Sequence, residues 1–446
     1  MLLLLGSAVL SGVVFKQSAR TAAAGLACEG GFLAAGFILG LASALLAPFE
    51  FFALAEWSRF VALTGMAWLI VLWSRRYQRA GDICLGVVLV SFCGLYVWGR
   101  LAAYLAGSIE NLNLDSAGFF AGFSNRRFFA QVQTMTMPLL GCATALLGDR
   151  YALRIRAARA LKVLVWAIYV AWWVLAFLSS ARGTWVGLAC GLGLAMFVCP
   201  ASARRLLRTY LIGALVGWLL FVVAFEVAPR LRGAGAVLEM YDADHYVVVA
   251  DRLTLWSLAV DAVLRHPWLG LGPMQFMTLS SSGGLHPHNS ILQFASEWGI
   301  LATSMFAAAL ALGMTSLIRA ARAASLENDP CGEWVAVGLI AGLAGGFVQS
   351  LVDGVFVVPT SEVLLFVLAG WAGGYVSRTT GRSAVEAPPL GILLRRCAAL
   401  TILAAALYLV WFAAHFLPIL ATQADRPYAI GSMVLPRFWA DGLPVW

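Results

Sequence analysis

The sequence predicts an all-α polytopic membrane protein, and three observations carry that expectation. Of the 446 residues, 61% are hydrophobic and only 12% are charged, whereas a soluble domain carries about 25% charged residues. The apolar residues come in repeated blocks of roughly 17–25, the length that crosses a bilayer as a helix. The basic residues stand mainly in short runs between those blocks, such as Arg75, Arg76 and Arg79, or Arg204, Arg205 and Arg208. The net charge of +8 therefore reads as a topology signal, because positive loops stay cytoplasmic. It does not read as a nucleic-acid surface.

Taken in order, the blocks are 1–15, 22–46, 57–74, 81–99, 132–148, 160–179, 184–200, 209–227, 291–317, 333–352, 361–377 and 396–416. They predict about twelve transmembrane helices with one large, partly helical outer loop. The first block has no basic residue before it and no small-residue cleavage site, so it reads as a spanning or partly inserted helix and not as a signal peptide. With the basic runs inside, the outer segments are 47–56, 100–131, 180–183, 228–290, 353–360 and the tail after Phe416. Both termini then face outward, and all five histidines fall in or at the edge of outer segments. The chain divides into helices 1–8 over 1–227, the loop at 228–290, helices 9–12 over 291–416, and a C-terminal tail at 417–446.

Between Ala228 and Ser290 lies a polar island with four of the five histidines: His245, His266, His286 and His288. A short helix is expected over Asp251–His266, ended by Pro267 and the turn Gly270-Leu271-Gly272-Pro273. Ser280 to Gly284 reads as a loop tip. Elsewhere, the small-residue run Ala341–Gly346 reads as a close helix-packing face. The eight cysteines avoid the island and show no CxxC spacing, so neither disulfides nor thiolate metal sites are expected.

Ionisable groups held at a membrane surface call for a reason. His286-Pro287-His288-Asn289 admits three readings: a metal site with Asp242, Asp244, His245 or Glu297; a turn capping the next helix; or a general base for a hydroxyl. Arg182 stands in a tight hinge between two apolar blocks, on the side where the positive-inside rule disfavours it. It either snorkels to lipid head groups or binds an anion. Arg252 opens the island helix, where Asp251, Asp244 or Asp242 could pair with it. Arg126 and Arg127 follow Asn125 in the other long outer segment, and either anchor to lipid or join an anion site. With Arg230, Arg232 and Arg265, the outer face carries an arginine concentration suited to phosphate or pyrophosphate. Asp242-Ala243-Asp244 resembles the short acidic motif of metal-dependent, nucleotide-sugar glycosyltransferases, but reads as coincidence or as partner charge for the arginines.

Four stretches in this order resemble the O-antigen ligase and polymerase superfamily. They are Ser180-Ala181-Arg182-Gly183; Arg252-Leu253-Thr254-Leu255-Trp256; His266-Pro267-Trp268-Leu269-Gly270-Leu271-Gly272; and His286-Pro287-His288-Asn289 running on through Glu297-Trp298-Gly299. The resemblance covers roughly 120–370. It implies a periplasmic loop in a multi-pass protein of the bacterial inner membrane. It also implies an inverting glycosyltransferase that uses no metal, cofactor or nucleotide. The donor implied is a glycan on undecaprenyl pyrophosphate, and the acceptor of a ligase is lipid A-core. Arg182 and Arg252 take the places of the family's pyrophosphate-binding arginines, and His288 that of its essential histidine. His286, Asn289, Arg126, Arg127 and Arg265 are expected to contact substrate. The clear motifs favour a ligase in lipopolysaccharide biosynthesis over a polymerase. A protein O-oligosaccharyltransferase would carry a longer C-terminal region. Outside the family stands a transporter, which would place charges inside the spans.

Overall fold

The computed structural model describes residues 22–109, 120–123, 125–147, 156–231, 247–279, 285–379 and 399–415. The first block at 1–15, the Asp242-Ala243-Asp244 stretch with His245, the loop tip and the tail at 417–446 lie outside the described residues. Those described are almost entirely helical: α1 (Ala22–Leu45), α2 (Glu50–Ile109), α3 (Arg126–Leu146), α4 (Arg156–Ser179), α5 (Arg182–Val198), α6 (Pro200–Phe221), α7 (Val247–Arg265), α8 (Ser290–Leu326), α9 (Pro330–Ser350), α10 (Pro359–Thr379) and α11 (Ala399–His415). A π-helical stretch, Val222–Val227, extends α6. Among the described residues, five helical stretches are long and apolar enough to cross a membrane: Glu50–Ala106, Arg159–Ser179, Pro200–Leu231, Ser290–Leu326 and Pro330–Ser350.

Each apolar block from 22 onward coincides with a helix, with one instructive difference. The basic run at 75–79 was expected to be a loop between two helices. Two helical arms do meet inside that run, but the separation is one sharply non-helical residue, Gln78 (φ 49, ψ −124), and the arginines on both sides of it are helical. Arginine is a good helix former, so charge by itself does not end a helix. Likewise α8 is broken once, at Gly299 (φ 81).

The chain divides into two units. One comprises Met1–Gln78, Arg252–Ala320 and Phe356–Trp446; the other comprises Arg79–Asp251 and Ala321–Val355.

In the first unit, Phe37, Trp57, Phe60, Val61, Trp298 and Ala302 form a buried core. Trp298 packs edge-on against Phe60, with ring centroids 5.6 Å apart. Gly40 leaves room for it, since a Cβ there would strike the Trp298 ring.

In the second unit α9 packs on α3 and α5. The small-residue run expected to mediate close packing does so. A side chain at Gly191 would collide with the carbonyl of Ala341, and Gly187 lies against Gly345 and Thr134. Backbones this close gain dispersion contacts that larger residues would forfeit.

Candidate functional site

Within the first unit, the His286–Asn289 segment is a tight, tethered turn. Asn289 begins α8: its side-chain oxygen accepts from the Leu292 N–H (3.1 Å) and its carbonyl accepts from the Gln293 N–H (2.9 Å). The first bond satisfies an orphan donor of the helix start, and the second is the first intrahelical bond. His288 has a left-handed backbone (φ 52), which costs a residue with a Cβ about 1–2 kcal/mol. The His288 N–H donates to His286 Nδ1 (3.2 Å), and the two rings lie with centroids 4.0 Å apart. His286 is buried at 2% exposure, while His288 is half-buried. His286 thus spends one ring nitrogen on holding the turn, and His288 presents the more accessible imidazole.

Helix α7 is tied to this turn. Trp256 donates its indole N–H to the carbonyl of Pro287 (2.8 Å). Arg252 precedes Trp256 by four residues, one helical turn, and so shares its face. Arg252 is half-buried. The structure therefore brings Arg252, His286, His288 and Asn289 to one place. Arg265, at the other end of α7, is exposed and lies 3.8 Å from Asp261.

The His266–Gly272 and Glu297–Gly299 motifs lock into each other. Leu271 and Gly272 donate to the carbonyls of Ser296 and Glu297 (both 2.9 Å), and Ile300 donates to that of Pro267 (2.8 Å). Ser43 Oγ donates to the Leu269 carbonyl (2.5 Å), and Glu297 Oε1 accepts from the Phe276 N–H (3.0 Å). Gly270 (φ 70) and Gly299 (φ 81) both lie in the left-handed region, where a Cβ would meet the opposing backbone. These motifs fasten the segment after α7 to the break in α8. The sequence had offered Glu297 as a metal ligand, but its carboxylate serves the backbone.

The second unit holds the other arginines at one end. Thr184 Oγ1 donates to the Ala130 carbonyl (3.1 Å), which sets the starts of α3 and α5 side by side. Asn125 caps α3 through the Arg127 N–H (2.9 Å), so Arg126 and Arg127 open that helix and Arg182 opens α5. Ser180 (φ 51) makes the sharp turn before it. Arg182 is exposed. Helix starts carry partial positive charge and unsatisfied N–H groups, so this end suits an anion.

Two sets of residues escaped the sequence reading. Gln131 and Gln349 are fully buried, and neither amide makes a hydrogen bond. Gln349 lies against Gly183, beside Arg182. One turn deeper, Gly345 meets Gly187, so Gln349 sits level with the start of α5. Gln131 follows Ala130 and shares that level. In the first unit, Arg59 bridges Glu56 (2.6 Å) and Glu362 (2.5 Å) with both carboxylates buried. Glu56-x-x-Arg59 is a helical pair spacing and could have been found. Glu362, some three hundred residues on, could not.

Residues 167–307 match the family model described as O-antigen ligase, Wzy_C. The matched stretch contains Arg182, Arg252, Arg265, His286, His288 and Asn289; it leaves out Arg126, Arg127, Gln131, Gln349 and Glu362. No curated protein matches the chain.

Proposed function

We propose, from the match of residues 167–307 to the family model described as O-antigen ligase, that the chain is an O-antigen ligase. It would transfer a glycan from undecaprenyl pyrophosphate to lipid A-core at the periplasmic face of the inner membrane. The family covers ligases and polymerases, which are glycosyltransferase-like enzymes acting on lipid-linked glycans. The choice of ligase rests on the well-formed motifs. The observation that carries the chemistry is the tethered His286–Asn289 turn with Arg252 one helical turn from its anchor.

In the proposed step an acceptor hydroxyl oxygen attacks the anomeric carbon. The C–O bond to the pyrophosphate breaks, and undecaprenyl pyrophosphate leaves with the electron pair. The hydroxyl proton passes to the His288 imidazole, which is the more accessible of the pair and is the side chain that most often serves as a general base. Because the leaving group is already good, the remaining demand is to stabilise its developing charge and to aim the acceptor. Arg252 and Arg182 are assigned the charge, both guanidiniums being suited to bidentate phosphate contact. His286 and Asn289 hold His288 in place. Arg126 and Arg127 are assigned to glycan or pyrophosphate oxygens. Arg265, exposed beside Asp261, is the weakest of the proposed substrate contacts.

Purified protein mixed with undecaprenyl-pyrophosphate glycan and lipid A-core, without ATP or added metal, tests this. Lipopolysaccharide formation is the expected result. Glycan elongation without use of the acceptor lipid would instead make the chain a polymerase. Absence of both products would overturn the enzymatic reading and favour transport.

A further inference from the structure

Helix α7 has two apolar faces, and the first unit buries only one of them. Leu255, Ala259 and Ala262 are buried. Leu255 and Ala259 form a small core with Phe276, closed by Leu292 of α8. Leu253, Val260 and Leu264 stand at helical spacing in a second stripe, on the opposite side of the helix. All three are exposed, Leu264 at 73%. Thr254, Ser257, Asp261 and Arg265 form a polar strip between the two faces and are exposed as well. A helix bathed in water would be polar on every side that the protein leaves uncovered. An exposed line of leucine and valine beside a polar strip is instead the pattern of a helix that lies in the surface of a bilayer.

The end of α7 shows what lies against the stripe. Trp268, just past the helix, is 67% exposed. The carbonyl of Pro267 before it accepts from the Ile300 N–H (2.8 Å), and Ile300 opens the long arm of α8. Along that arm Ile300, Leu301 and Leu310 are exposed, in a stretch long and apolar enough to cross a membrane. Apolar side chains exposed on a crossing helix face lipid. The stripe of α7 therefore runs through Trp268 into a lipid-facing surface, and the two meet at the Gly299 break. Tryptophan suits that border, since its ring is apolar and its N–H reaches the head groups. Arg265 and His266, both exposed beside it, can extend their polar ends towards the head groups in the same way.

We propose that α7 is an interfacial helix, docked on the leaflet at which the long arm of α8 begins its crossing. Leu253, Val260, Leu264 and Trp268 enter the apolar border of that leaflet, and the polar strip lies among its head groups. A second copy of the chain would also cover the stripe, but would not account for its continuity with the lipid-facing side of α8. Arg252 stands next to Leu253, so the docked helix carries its guanidinium at the level of lipid phosphates. That consequence for the donor rests on the proposed transfer; the docking does not.

The full chain is made with the photoreactive residue benzoylphenylalanine in place of Val260, Leu264, Thr254 or Leu310, one position at a time. Each variant is reconstituted in vesicles of phosphatidylethanolamine and phosphatidylglycerol with radiolabelled acyl chains. All four positions are exposed, so the added bulk leaves the packing intact. On illumination, the positions of Val260 and Leu264 should take up lipid label as strongly as that of Leu310 on the crossing arm. They should take up several-fold more than that of Thr254 on the polar strip. Label at Val260 and Leu264 no greater than at Thr254 would overturn the docking. Crosslinking from the stripe into a dimer of the chain, without lipid label, would overturn the choice of lipid in favour of a second copy. Glycan transfer is not the readout, so failure of the docking and failure of the proposed reaction are told apart.

Discussion

At the scale of single residues, His288 joins an unfavourable backbone conformation to an accessible imidazole. The two can be separated by substitution. His288→Gly removes the ring but relieves the left-handed strain, so the variant should unfold at the same temperature as the wild type or higher. Glycan transfer should nevertheless fall by about 10²–10⁴, the range for loss of a general base. Recovery of part of the rate on adding free imidazole would identify the ring as the proton acceptor. A variant with normal transfer would remove His288 from the chemistry. His286→Ala should cost less in rate, since that ring braces the turn. Arg182→Ala and Arg252→Ala should each reduce transfer by about 10²–10³ with unchanged membrane insertion, as expected for a preorganised contact to developing charge. A loss confined to KM would mean that the arginine binds substrate without stabilising the leaving group. The sequence singled out these residues because their types are out of place for the expected topology: arginines in segments expected to be poor in positive charge, and histidines gathered in one polar stretch. Gln131 and Gln349 were not legible. A lone amide barely changes the hydropathy of a spanning block, and only the packing reveals that it lies buried without a hydrogen bond.

At the scale of elements, apolar periodicity and length located every described spanning block, but several helices run well past their blocks: α6 starts nine residues early and α8 ends nine residues late. What it missed were the breaks inside them. Gly299 is an example. The sequence matched it as part of a family motif, but its role is visible only where the 266–272 segment lies across it. Because φ is 81° and a Cβ would strike the Trp268 carbonyl, Gly299→Ala should destabilise the protein by about 1–3 kcal/mol, the usual cost of forced overpacking. Thermal unfolding in detergent measures it, and an unchanged midpoint would show that the brace yields. Trp256→Phe keeps the packing and deletes one hydrogen bond to Pro287. Its effect should appear in transfer more than in stability.

For the whole molecule, the buried charges Glu56, Arg59 and Glu362 are the feature that hydropathy conceals most completely. Two of the three lie at the edges of apolar blocks and look solvated there. Only the fold, by setting α10 against α2 within the first unit, shows one guanidinium shared by two buried carboxylates. Arg59→Leu leaves both carboxylates buried without their cation and should cost about 3–5 kcal/mol. Replacing all three by leucine should restore much of that loss, because apolar side chains of similar size replace buried ion pairs at little cost. If the triple variant is as unstable as the single one, the charges serve the fold in a way that simple pairing does not describe.

The break at Gly299 has a consequence for how the chain is mapped onto a membrane. At 1.5 Å per residue, the arm Ser290–Trp298 is only about 13 Å long, well short of the roughly 30 Å hydrocarbon layer. A reporter enzyme fused just after Trp298 should therefore register the same compartment as one fused before His286. That result would put the start of the crossing in the longer arm that follows, a full arm later than a count of α8 from its first residue gives.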